Sequence, residues 1–116
     1  MRDIALELAG ALAILAALLH GVLGETRVFA RAQIDPSWVR RLVRAVWHCG
    51  VVAWIAVGAL LIATPIVAAD GARRCIVVTA AAVFGSAAIG NALATRGRHF
   101  GWMVLAAVTG LALVGM

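Results

Sequence analysis

The chain has no lysine and no tyrosine, only two cysteines, two prolines and two serines, and 13% charged residues among its 116. A soluble domain carries about a quarter charged and about half apolar residues, whereas 65% of this chain is hydrophobic. That shortage of charge excludes an ordinary soluble globule. The two serines, Ser37 and Ser86, have no helical neighbour resembling a triad base. No nucleophile elbow, phosphate-cradling glycine loop or Walker motif is present, so an ordinary hydrolase is not indicated. Cys49 lies near the start of the second apolar run and Cys75 opens the third on the opposite side of the membrane, most of a bilayer thickness apart and beyond disulfide reach. No CxxCH segment occurs, which excludes covalently attached c-type haem.

What the chain has in quantity is apolar sequence, at a mean hydropathy of +1.05. A bilayer-spanning helix needs about 20 mostly apolar residues, and four such runs cover approximately 4–24, 43–68, 74–95 and 99–116. They leave almost nothing for a soluble domain. The expected fold is an all-α integral membrane protein, an antiparallel up-down bundle of four transmembrane helices in one domain. The first run is read as a retained helix and not a signal peptide, because Asp3 and Glu7 lie where a signal sequence is basic.

The net charge of +5 comes from ten arginines, and they are unevenly placed. Arg27, Arg31, Arg40, Arg41 and Arg44 surround the first connection, and Arg96 and Arg98 form the third. Only Arg2, Arg73 and Arg74 lie on the opposite side. By the positive-inside rule the first and third connections face the cytoplasm, and both termini are predicted on the opposite side. Arginines flanking apolar helices point to lipid head groups and not to nucleic acid.

The first connection, from Glu25 to about Leu42, contains Asp35-Pro36-Ser37, a helix-start signal with Pro36 expected at the first helical position and Ser37 or Asp35 as cap. Trp38 and Trp47 are expected in the head-group zone, and Pro65 is expected to end or kink the second helix. Small residues recur every four positions at Ala9, Ala13, Ala17 and Gly21, and again at Ala82, Ser86, Gly90 and Ala94. The simplest expectation is that these stripes pack helices one and three together. A homodimer seam is the alternative.

All three histidines lie near one edge of this bundle. His20 and Glu25 close the first run, His48 and Cys49 open the second, Asn91 is one turn before the end of the third, and His99 begins the fourth. Polar side chains at membrane depth are costly and mark functional sites. Imidazole nitrogens with a carboxylate suit iron, copper or zinc, so His20, Glu25, His48 and His99 form the candidate metal set, with Cys49 and Asn91 as supporting side chains. His20 and His48 on facing helices could instead ligate haem axially. On an ideal helix, however, Glu25 is about 140° around the axis from His20, so the two share no face unless the chain breaks at Gly24. Taken singly, Glu25 pairs with Arg27, Arg44 or Arg96, Asn91 bridges helices, Trp54 and Phe84 are core or lipid-facing aromatics, and Trp102 is an interface anchor.

The segments His20-Gly21-Val22-Leu23-Gly24-Glu25, Arg44-Ala45-Val46-Trp47-His48 and Arg98-His99-Phe100-Gly101-Trp102 together resemble a family of small, functionally uncharacterised bacterial four-helix inner-membrane proteins. Its pattern is a His-x-x-Leu-Gly-Glu segment, a Trp-His pair and a His-x-Gly-Trp segment, in that order. Gly21 and Phe100 depart from it, standing where the family has serine and proline. The resemblance implies that His20, Glu25, His48 and His99 act as one group.

Three functions follow from these residues. The first is metal or haem binding for membrane redox chemistry or metal handling. The second is a small, dimeric proton-coupled transporter or channel, for which histidine is suited by a pKa near neutrality. Its middle residues, Ala11 to Ala17, are wholly apolar, which argues against a mechanism built on an acid at the centre of helix one. The third is an accessory subunit of a larger membrane complex. None of them names a reaction.

Overall fold

Long apolar sequence with few breakers gives long helices. The computed structural model describes residues 1–116 and holds four α-helices. They are α1 (Arg2–Leu23), α2 (Ser37–Val67), α3 (Asp70–Thr95) and α4 (Gly101–Val114). α1 does not stop at Gly24 but runs on as a π-helical segment over Gly24–Phe29.

The expected boundaries shift where local signals compete with hydropathy. α2 starts six residues before the expected 43, because Pro36 takes up extended backbone and releases the helix at Ser37. Pro36 is itself the N-cap, with no side-chain cap bond from Asp35 or Ser37. Pro65 lies in the last turn of α2, which stops at Val67. α3 starts at Asp70, whose carboxylate suits the positive end of the helix dipole. It ends where Arg96 and Gly97 both take positive φ (52° and 72°), and the Gly97 N–H closes the end on the Ala92 carbonyl at 2.8 Å.

Arg2–Phe29, Ser37–Val67 and Asp70–Thr95 are long and apolar enough to cross a membrane. α4 has 14 residues, about 21 Å at a rise of about 1.5 Å per residue, against a hydrocarbon thickness of about 30 Å. It is the short member of the bundle.

Neighbouring helices run antiparallel. The end of α1 meets the start of α2, where the Trp47 indole N–H donates to the His20 carbonyl. At the opposite edge Arg73 near the start of α3 pairs with Asp3 of α1 at 2.7 Å and donates from Nε to the Gly115 carbonyl, just past the end of α4, at 3.0 Å. α1 packs on α2 and α4, α3 packs on α4, and α2 meets α3 only lightly. α1 and α2 approach closely at Gly10 and Gly58, where a Cβ on Gly58 would lie 2.8 Å from the Gly10 carbonyl oxygen.

This corrects the expected pairing of small-residue stripes. Ala9, Ala13 and Ala17 are fully buried, but they serve contacts with α2 and α4. The second stripe, Ala82, Ser86, Gly90 and Ala94, is exposed. α3 turns Val77, Ala80, Phe84 and Ala88 inward instead. Ala80, Phe84 and Ala88 are offset by two from the expected positions, about 200° around the axis. Bulk decides it: Phe84, with no exposed surface, fills more of the bundle than any residue of the small stripe. Only 20 of the 116 residues are buried, so most apolar side chains face outward.

Candidate functional site

The site forms where the end of α1 meets the start of α2. Trp47, Val51 and Trp54 are spaced i, i+4 and i+7, so one face of α2 presents two indoles to α1. The His20 ring lies flat on Trp47, with centroids 4.0 Å apart and planes 5° from parallel. Trp54 is 4.9 Å from the same imidazole, tilted by 35°. Beyond these, Phe29 meets Trp47 edge-on at 5.6 Å and Phe84 meets Trp54 at 5.7 Å. A continuous aromatic column therefore runs from the π-helical segment through His20 to α3. Gly24 makes room for it, since any Cβ there would collide with the Trp47 indole.

One step around α2 from Trp47, Arg44 and His48 share a second face, being four residues apart. Both reach Glu25. Arg44 donates from Nε to Oε1 at 2.8 Å and pairs through its second guanidinium nitrogen with Oε2 at 2.7 Å. This is the two-point geometry that arginine forms with carboxylates. His48 Nε2 lies 2.6 Å from Oε1 of the same carboxylate. The Glu25 and His48 side chains are 34% and 44% exposed, so the cluster is open on one side.

The π-helical segment brings Glu25 here. With wider turns than an α-helix, it changes the phase of the chain after Gly24. Glu25 therefore comes over α2 without the chain break that an ideal α-helix would need.

The remaining candidates lie elsewhere. His99 is exposed, its Nδ1 accepts the Gly101 N–H at 3.1 Å, and its ring stacks on Phe100 at 4.8 Å. It lies just before Phe100, the N-cap of α4. Asn91 is half-buried beside Gly101, with its Oδ1 buried and unbonded. Cys49 is exposed, as is Cys75. Trp102 donates to the Gly97 carbonyl at 3.2 Å, which ties α4 to the turn before it.

The structure thus joins Glu25 with His48 and sets His20 next to them, but it leaves His99, Asn91 and Cys49 outside. No three His, Cys, Asp or Glu side chains gather into a group that could hold a metal ion. The His20 ring face lies on an indole and His48 Nε2 meets a carboxylate, contacts that leave a ring nitrogen of each imidazole unbonded. Of the three arginines expected as partners for Glu25, the structure selects Arg44. The side chains that sequence reading gave no place in the site are Trp47 and Trp54, whose signal was their i, i+7 spacing.

No protein-family model, curated protein or solved structure matches the chain. The functional reading therefore rests on this geometry.

Proposed function

We propose that the chain is a multi-pass membrane protein whose Glu25–His48–Arg44 cluster takes up and releases a proton, as part of a small proton-coupled transporter or channel. The observation that carries this reading is the 2.6 Å contact between His48 Nε2 and Glu25 Oε1, with Arg44 on the same carboxylate. Histidine changes charge near neutral pH. In a hydrogen-bonded histidine and carboxylate, a change of charge on one alters the other. The cluster sits at the end of an apolar span and is partly open, which suits exchange with one aqueous side. The outward-facing apolar surface supports a bilayer setting, with the short α4 covered on one side by α1 and α3.

The metal reading keeps one observation in its favour: an imidazole oriented by a carboxylate is the arrangement that ligating histidines have. It would need further donors beside His48, from His20 or from outside the chain.

The test is proton flux. The full chain is reconstituted in vesicles with a pH-sensitive dye inside, and a pH gradient is imposed. Wild type is expected to dissipate the gradient, with Glu25→Gln and His48→Ala reduced to the level of protein-free vesicles. No flux from folded wild type, or equal flux from both variants, overturns the proposal. Near-stoichiometric metal in the same preparation, lost in His48→Ala, would move the assignment to metal binding.

A further inference from the structure

α2 is longer than a membrane crossing requires. Its 31 residues reach about 46 Å at a rise of about 1.5 Å per residue, and the hydrocarbon layer is about 30 Å thick. At its far end α2 passes into α3 through Ala68 and Ala69 alone, so the surplus falls at its start, over residues 37–46. Along that stretch Trp38, Leu42 and Val46 are spaced four apart and are 59%, 54% and 62% exposed. They form one apolar stripe that no other part of the chain covers.

Seven arginines lie at the same edge. Arg40 is taken up by the Phe29 and Ala32 carbonyls, and Arg44 by Glu25. Arg27, Arg31, Arg96 and Arg98 are exposed and form no ion pair, and Arg41 touches only the Ser37 hydroxyl at 3.4 Å. Once Glu25 is engaged, Asp35 is the one acid left at this edge to set against these five cations.

We infer that this edge is a docking surface for a leaflet of anionic phospholipid. The Trp38–Leu42–Val46 stripe enters the head-group layer, and the unpaired arginines meet lipid phosphates. Tryptophan and exposed arginines at the end of a spanning helix suit the head-group layer, and an anionic leaflet attracts such arginines. The inference rests on the membrane setting proposed above but not on proton handling, so it can fail while that reading stands.

The experiment uses the full chain purified in neutral detergent and titrated at low salt with phosphatidylglycerol or phosphatidylcholine, with bound lipid counted by native mass spectrometry. Wild type is expected to bind phosphatidylglycerol on the order of tenfold more tightly. Arg31→Gln/Arg41→Gln is expected to lose most of that preference, while Arg2→Gln/Arg74→Gln at the opposite edge retains it. If the first variant loses helicity, Arg27→Gln/Arg98→Gln takes its place. Equal binding of the two lipids overturns the inference. So does a preference that survives loss of these arginines, or one lost equally from either edge.

Discussion

Trp47 does more at the residue scale than its place in the sequence suggests. Its indole covers the His20 ring, its N–H satisfies the His20 carbonyl, and its edge rests on Gly24 and Phe29. Trp47 is half-buried, and Trp47→Ala is expected to cost up to about 3 kcal/mol, the low end of the range for removing a core aromatic. Trp38→Ala, at an exposed position, is expected to leave thermal stability in detergent nearly unchanged. Equal melting temperatures for the two variants would count against the aromatic column as the element that holds the site. Sequence reading placed both tryptophans in the head-group zone, because hydropathy and end position look alike for the two. Only the spacing of Trp47 with Trp54 separates them. His20, Glu25 and His48 were legible as neighbours, since alternating helix direction brings those positions to one edge. Their pairing was not: an ideal α-helix turns Glu25 away from the His20 face, and nothing in the sequence announces the π-helical turns that correct its phase.

Helix contacts in this chain are decided by a few glycines, and these give a sharp contrast at the element scale. A Cβ on Gly58 would press on the Gly10 carbonyl and on Ala13 of α1, where rigid backbone cannot give way. Gly58→Ala is expected to destabilise by about 1–3 kcal/mol through overpacking. Gly90 has nothing within 4 Å of its would-be Cβ, and alanine favours helix over glycine by about 1 kcal/mol. Gly90→Ala should therefore be at least as stable as wild type by thermal denaturation in detergent. If Gly90→Ala is the more damaging change, the exposed side of α3 is covered in the folded protein. The four apolar runs were plain from composition, but their rotation was not. The stripe Ala82–Ser86–Gly90–Ala94 looked like a contact face because small residues permit close approach. Phe84 turned that helix the other way.

Taken whole, the molecule has an ionisable cluster at one end and a clamp at the other. Arg73 joins the start of α1, the start of α3 and the end of α4 through Asp3 and the Gly115 carbonyl. Arg73→Gln is expected to cost about 1–3 kcal/mol, the range for losing hydrogen bonds to a charged group. Hydrogen exchange should then quicken in the last turn of α4 while remaining unchanged around Trp47. Quickening at both ends would show that the two edges are energetically one unit. The central claim, that Glu25 and His48 handle a proton together, is most directly tested by difference infrared spectroscopy of the reconstituted protein over a pH titration, with Glu25→Gln identifying the carboxylate band. The account predicts that His48→Gln moves the pH range over which the Glu25 carboxylate band changes. A Glu25 band that titrates identically with and without His48 would contradict it.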